Sequence, residues 1–237
     1  YFSPTSDVLP NKTGGWEGLQ PTWDLYKMYS AKDTVRRKAT IMLTGDHYPE
    51  LNQAGGGYIA GGVGMKKHVI GNQTDNNAPT MDTWSSVEHV MILRLADVYL
   101  VYAEAILGNN ATTSDGDALL YFNAVRNRAG VDPVTVLDPV TLRIERRVEL
   151  AFEGQYWIDL VRYSYYDPAN AVKFINNQDA TYSRESFSYD PKTRIATRDT
   201  THLPSTLPAT ISSFTLPIPA SELVTDPKLT QTPVPYY

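Results

Sequence analysis

Three helical sequence patterns in succession, between residues 94 and 162, constrain the fold of this chain more than any other feature. In the first, residues 94–107, the charged side chains Arg94, Asp97 and Glu104 fall on one narrow arc at 3.6 residues per turn. Apolar side chains cover most of the remaining circumference. A helix of this kind is buried on most sides, so we expect its charged stripe to face solvent or to be ion-paired inside.

The second and third patterns carry their own start and stop signals. Ser114 with Asp117 resembles a capping box, and Gly130 stands where glycine is preferred after a helix end. Asp138 before Pro139 predicts the start of the third helix, because it combines a cap with a proline in the first turn. The predicted buried face of the third helix is apolar at helical spacing: Ile144, Val148, Ala151 and Phe152.

Gly154 interrupts the third pattern, and a glycine inside a helix costs about 1 kcal/mol relative to alanine. The apolar spacing nonetheless resumes with Trp157 and Leu160, so the pattern extends to Arg162. A shorter helical segment over residues 169–175 follows. Adjacent helices with short connections are expected to pack antiparallel.

The chain divides into three segments by this periodicity. Residues 1–85 are loop-rich, residues 86–175 form the helical scaffold, and residues 176–237 are irregular. The proline-punctuated end, residues 216–237, is expected to lie extended along the surface. The predicted fold is therefore mainly α, a helical scaffold with long irregular loops and minor β structure.

Local signals within the first segment are weaker. Thr22 is expected to cap a short helix over residues 23–30, and residues 39–43 predict a strand. Residues 55–64 hold six glycines in ten positions. They lack the Gly-Lys-Ser/Thr of a phosphate-binding loop, so we interpret them as a mobile surface loop rather than a nucleotide site.

The totals exclude several classes of function. A net charge of −5 disfavours nucleic acid and anionic membrane surfaces as partners. The absence of cysteine excludes disulfides, thiolate catalysis and cysteine-ligated metal. The four histidines show no metal-binding spacing, and no G-x-S-x-G nucleophile motif occurs. We therefore expect no catalytic residue, cofactor or metal.

Acidic residues of the third helix allow two interpretations. Glu145, Glu149 and Glu153 lie about 6 Å apart stepwise on one helix face, a separation compatible with the carboxylate pair of a glycoside hydrolase. They are interleaved with arginines, however, and Arg146, Arg126 or Arg128 could pair with Glu149. We favour a structural charge network, with these members: Arg94, Asp97, Glu104, Arg126, Glu149 and Glu153.

Aromatic residues in the irregular segments are the candidates for ligand contact. Flat sugar faces stack on exposed Trp and Tyr rings, and rings in loops are presented to ligands more often than rings on helices. Trp16, Trp23, Tyr58 and Trp84 all lie in or beside segments rich in Gly, Pro and Asn. Trp157 stands at core spacing on a helix and is expected to pack.

Five segments in chain order carry a family signature. They are RLADVYLVYAEA (94–105), ALLYFNAVRNRAG (118–130), ERRVELAFEGQYWIDLVR (145–162), LPIPASEL (216–223) and LTQTPVPY (229–236). In this order they resemble the C-terminal half of SusD/RagB family proteins. Upstream, Gly15–Trp16 and a following PT-x-x-L segment are also similar to that family, so the resemblance covers about residues 15–237.

This resemblance implies a mostly α-helical, tetratricopeptide-like surface lipoprotein on the extracellular face of the Bacteroidetes outer membrane. Such proteins bind glycans, or in some branches peptides, without catalysis. They cover a SusC-like TonB-dependent transporter that imports the captured ligand. The helical signature is scaffold and the variable loops contact the ligand, so the motifs transfer no binding residue to this chain.

The sequence departs from the family pattern in three respects. It has no cysteine, so the family's lipidated cysteine is not in this chain. The resemblance implies a C-terminal portion of a protein about twice as long, without the tetratricopeptide-rich N-terminal half. Tyr156 stands where the family usually has Arg, which is expected to remove a partner of Glu153 and Asp159, and Thr232 replaces the usual Asn.

The predicted function is therefore non-catalytic capture of an oligosaccharide for a transporter. One alternative is an all-α glycoside hydrolase that uses two of the acidic residues. Another is a structural module that only docks against the transporter.

Overall fold

The protein is mainly α-helical, as the sequence predicts. The computed structural model describes residues 20–82, 85–89, 91–176, 186–200 and 208–231. Its described helices are α1 (Trp23–Met28), α2 (Thr34–Thr40), α3 (Leu95–Leu107), α4 (Gly116–Arg128), α5 (Pro139–Glu149), α6 (Gln155–Tyr166), α7 (Pro168–Asn176) and α8 (Ala220–Thr225). Its described strands pair antiparallel: β1 (Ile41–Met42) with β4 (Gly64–Met65), β2 (His47–Tyr48) with β3 (Tyr58–Ile59), and β5 (Phe187–Asp190) with β6 (Ile195–Arg198).

Several helix starts follow the signals in the sequence. Thr22 caps α1, since its hydroxyl accepts from the Leu25 N–H at 3.2 Å. Asp138 caps α5, and its carboxylate accepts from the N–H groups of Val140 and Thr141. These contacts satisfy backbone donors that a helix N-terminus leaves unpaired, which confirms both predicted starts.

Helices α3 and α4 pack together around a shared apolar core. Leu100, Ala103 and Phe122 are fully buried there. The N-cap of α4 is Asp115, whose side chain accepts from two backbone N–H groups, so the predicted capping box at Ser114 is wrong. Asp115 stands one residue closer to the first turn and reaches both groups from there.

The prediction that α3 is buried on most sides is also wrong. Helices α4 and α5 cover two sides of α3, whereas Leu95, Val98, Val101 and Tyr102 on a third side are each more than 40% exposed. A pattern that is apolar all round shows that a helix can be covered on every side. It does not show that the described residues bury every side of that helix.

The third sequence pattern forms two helices instead of one. α5 ends at Glu149 and α6 begins at Gln155, separated by a turn in which Phe152 and Gly154 have φ values of 64° and 78°. These left-handed conformations terminate a helix. The predicted buried face is wrong at Ile144, which is 40% exposed.

The glycine-rich segment is irregular over most of its length, as predicted, but it also contributes to two short strands that its sequence did not indicate. Its residues form β3 and β4, which pair with β2 and β1. Tyr58 of β3 is 6% exposed and packs with Tyr48 and Leu51 in an apolar cluster. The predicted strand over residues 39–43 is limited to β1, because α2 extends through Thr40.

The last segment contains more regular structure than its sequence indicates. The hairpin β5–β6 lies in the part without periodicity, and α8 lies in the tail predicted to be extended. Phe187 of β5 packs in one cluster with Ile41 and with Val148 of α5. Residues from all three sequence segments therefore share this core.

Candidate functional site

Carboxylates lie on the buried face of α5. Glu145 and Glu149 are 1% and 3% exposed, and Glu153 follows in the turn between α5 and α6. Two or more cations contact each of the three. Glu145 contacts Arg36 and Arg126, Glu149 contacts Arg36, Arg94 and Arg128, and Glu153 contacts Arg94 and Lys67.

Arg36 of α2 lies at the centre of this network. Its Nη1 lies 2.5 Å from Glu145 and 3.2 Å from Glu149, and its Nε donates to Asp33 at 2.9 Å. Burial lowers the pKa of Arg36, but hydrogen bonds to Asp33 and Glu145 outweigh it and raise that pKa above its usual value. A permanently charged group thus joins α2 to α5, which follows it by more than a hundred residues.

A second group of contacts holds the turn after α5. The Lys67 ammonium donates to the carbonyl oxygens of Glu149 and Ala151 at 3.0 Å each, and to the Glu153 carboxylate. Arg94 donates to Glu153 from the other side at 2.7 Å. Burial raises the pKa of Glu153, but the hydrogen bonds from Arg94 and Lys67 lower it by more than burial raises it. The pKa of Glu153 therefore lies below its usual value.

The charged stripe of α3 is paired inside the molecule. Asp97 accepts from Arg146 of α5 at 2.8 Å, and the same guanidinium contacts Asp159 of α6 at 2.8 Å. Glu104 lies 2.5 Å from Arg162 of α6. These contacts fasten α3 to α5 and α6 through charge-assisted hydrogen bonds.

This arrangement stabilises the fold and does not resemble a hydrolytic site. A glycosidase acid must hold its proton near neutral pH, which requires a raised pKa. Arginines engage Glu145 and Glu149, and the pKa of Glu153 is lowered. The geometry therefore keeps these carboxylates in charge pairs rather than freeing one as a proton donor.

Of the partners expected for Glu149, Arg128 is confirmed, whereas Arg126 contacts Glu145. Arg146 contacts Asp97 and Asp159 instead of Glu149. Tyr156 was expected to remove a partner of Glu153 and Asp159, but neither carboxylate is left unpaired, because other arginines contact both. The Arg147 guanidinium lies over the Tyr156 ring, and its central carbon is 4.2 Å from the centroid of that ring.

Sequence reasoning missed Arg36, Asp33 and Lys67 as members of the network. All three belong to the loop-rich segment, and no local pattern links them to α5. Arg36 and Asp33 stand three residues apart on one turn of α2, which is a signal for a local pair. Nothing in that spacing indicates a distant carboxylate.

The aromatic candidates have different positions. Trp16 and Trp84 lie outside the described residues. Trp23 is half-buried, and its ring lies 5.9 Å from that of Tyr26 and 5.8 Å from that of Phe187. Tyr58 is buried, so its ring face is not offered to solvent.

Neither a metal-binding cluster nor a membrane-spanning helix occurs among the described residues. In that part of the chain, no group of three or more His, Asp or Glu is placed to hold a metal ion. Each helix described is too short or too polar to cross a membrane.

Comparisons with known proteins agree on one family. The model of the SusD family matches residues 42–237. A curated SusD-like protein of Bacteroides ovatus is 35% identical over 243 residues, an alignment that covers 94% of this chain and 44% of the relative.

Solved structures give the same result. One crystal structure has a TM-score of 0.84 and 31% identity, and it matches 100% of this chain with 50% of its own. A second, solved with xylogluco-oligosaccharide, has a TM-score of 0.82 and 32% identity, with the same coverage. This chain therefore spans about half the length of the relatives it matches.

Proposed function

The chain belongs to the SusD family, and on that premise we propose that it binds an oligosaccharide without cleaving it. The observation that supports this most strongly is its likeness, along its whole length, to a structure solved with xylogluco-oligosaccharide. A xyloglucan-type oligosaccharide is accordingly the first ligand to test.

The charge network supports a binding role over a hydrolytic one. Glu145, Glu149 and Glu153 are held by arginines and a lysine, and Arg36 contacts the first two of them from α2. Removing any one carboxylate would take an ion-pair partner from at least two cations. Their positions thus serve to hold the irregular segments against the helices.

We assign ligand contact to aromatic residues of those irregular segments. Trp16 and Trp84 are the principal candidates, and the exposed part of Trp23 is the third. Tyr58 supports the neighbouring segment from inside the apolar cluster instead of stacking on a sugar. The rings supply flat apolar faces, and nearby amide and carboxylate groups supply hydrogen bonds to sugar hydroxyls.

The full-length protein, in this proposal, is a lipoprotein on the extracellular face of the outer membrane. It delivers the captured oligosaccharide to a SusC-like TonB-dependent transporter. Family membership supports both statements. Co-purification of the full-length protein with a neighbouring transporter from outer membranes would test them, and recovery of the transporter alone would count against them.

Isothermal titration calorimetry with a panel of oligosaccharides and peptides tests the ligand class. We expect saturable binding of a β-glucan or xyloglucan oligosaccharide and none of the peptides. Binding of peptides alone would overturn the carbohydrate assignment.

Two variants test the assigned residues. Trp16→Ala and Trp84→Ala should each weaken binding about tenfold, because loss of one stacking ring in a binding site typically costs 1–2 kcal/mol. The matched control is Trp157→Ala, since Trp157 is 49% exposed but stands on α6 against Phe214. Unchanged binding in both test variants would overturn the assignment of these two residues, and no binding by the unaltered chain would favour a purely structural module.

A further inference from the structure

A groove of about 360 Å³ lies between α1, α5, α6 and α7. Much of its surface is apolar and comes from Met28, Val140, Ile144, Leu160 and Phe174. A volume in this range matches sites for small organic ligands. Arg36 and the three glutamates of its network, Glu145, Glu149 and Glu153, do not line the groove, whereas Asp159 does.

Tyrosines on the wall of the groove do not offer free stacking faces. The Arg143 guanidinium lies 4.2 Å from the ring centroid of Tyr163, and Arg147 lies 4.2 Å from that of Tyr156. Tyr163 is also buried. A sugar requires an open ring face and many hydrogen-bond partners, so this groove suits a more apolar body than a glycan.

Charges around the groove are unequally neutralised. Asp159 is paired with Arg146 and Arg162, and Arg147 is paired with Asp24. The two remaining cations of the lining are Arg143 and Lys173.

Neither Arg143 nor Lys173 forms a salt bridge with any residue that the structure describes. The side-chain contacts of Arg143 are the Tyr163 ring and a long hydrogen bond, 3.5 Å, to the Tyr166 hydroxyl. Lys173 is solvent-exposed on α7. The lining of the apolar groove therefore carries two positive charges without a salt bridge, one from α5 and one from α7. Asp138 and Asp167 interact with Arg143 electrostatically, but neither forms a salt bridge with it.

We propose that this groove binds an amphipathic organic carboxylate, with its apolar body against Ile144 and Leu160 and its carboxylate between Arg143 and Lys173. Charge complementarity selects the anion, since the Arg143 guanidinium and the Lys173 ammonium line the same groove and both can donate to a carboxylate. The apolar lining selects the body of the ligand. None of the described lining residues is an aromatic residue that we assign to oligosaccharide contact.

Titration of the chain with 4-phenylbutyrate and its neutral amide tests the proposal. We expect saturable binding of the carboxylate in ligand-observed NMR, and binding about tenfold weaker for the amide, as two partly exposed charge contacts predict. Octanoate in place of 4-phenylbutyrate distinguishes an alkyl from an aryl body, and acetate should show no saturable binding.

Variants locate the site. Arg143→Gln combined with Lys173→Gln should reduce the affinity for 4-phenylbutyrate to that for the amide and leave the amide unchanged. Ile144→Ser should weaken both ligands, since it removes exposed apolar lining. Lys192→Gln, on the exposed turn of the β5–β6 hairpin, is the matched control and should change neither.

Three results would overturn the proposal. They are no saturable binding of either carboxylate, equal affinity for the acid and the amide, and unchanged binding in the double variant. Oligosaccharide titrations of the same variants keep this proposal distinguishable from the proposed function, because those affinities should not change.

Discussion

Replacement of Arg36 by methionine probes the charge network at its centre. Arg36 is 7% exposed and contacts Asp33, Glu145 and Glu149. Removing one partner of a buried ion pair costs about 3–5 kcal/mol, since the other charge remains buried. Glu145 and Glu149 keep other arginines whereas Asp33 loses its partner, so we expect a loss near the lower limit, about 3 kcal/mol. Methionine retains the apolar stem, which separates the charge from packing.

Urea denaturation followed by circular dichroism measures this loss as a change in the free energy of unfolding. The matched control is Lys32→Met, because Lys32 pairs with Asp132 at side-chain exposures of 65% and 71%. An exposed pair of this kind contributes about 0.2–1 kcal/mol. If Arg36→Met cost no more than the control, the network would not hold α2 to α5 and the reasoning would be refuted.

Three further changes test local structure. Asp138→Ala removes the cap of α5 and should lower the free energy of unfolding by about 1 kcal/mol in urea denaturation; no loss would contradict the cap. Gly154→Ala should lower it by about 1–2 kcal/mol, because Gly154 has φ +78°, whereas a continuous helix would instead gain about 1 kcal/mol. Arg94 and Lys67 hold the folded-state pKa of Glu153 below its usual 4.5, so its contribution to stability is present above that pH and lost as the pH falls through the folded pKa. Glu153→Gln should flatten the pH dependence of Tm in this acidic range, and an unchanged slope would contradict the pairing.

Helix starts could be predicted because their causes are local. Thr22 and Asp138 act on backbone groups two or three residues away, so the sequence alone contains the interaction. The Ser114 error has the same origin. Neighbouring Ser and Asp residues compete for one cap, and the sequence does not show which side chain reaches the first turn.

The break between α5 and α6 has a tertiary cause as well as a local one. Gly154 is a local signal against a continuous helix, but the apolar spacing continues through it. The Lys67 ammonium binds carbonyl oxygens at the end of α5, and a ring nitrogen of His68 lies 3.2 Å from the Phe152 carbonyl oxygen. These groups stand more than eighty residues earlier, so no window along the helix contains them.

The candidate site could be narrowed from the sequence but not placed. Interleaved charges on α5 favoured pairing over catalysis, and the structure shows those pairs. Aromatic residue type alone did not separate the half-buried Trp23 from the buried Tyr58. The burial of Tyr58 depends on the pairing of β2 with β3, and each of these strands is only two residues long.

One incubation tests directly whether the protein captures an oligosaccharide without cleaving it. The protein is mixed with a xyloglucan oligosaccharide, and binding is measured by calorimetry. The sugar is then recovered from the same sample and its mass determined. We predict saturable binding and recovery of the intact oligosaccharide. Shorter products that disappear in Glu149→Gln would contradict the claim.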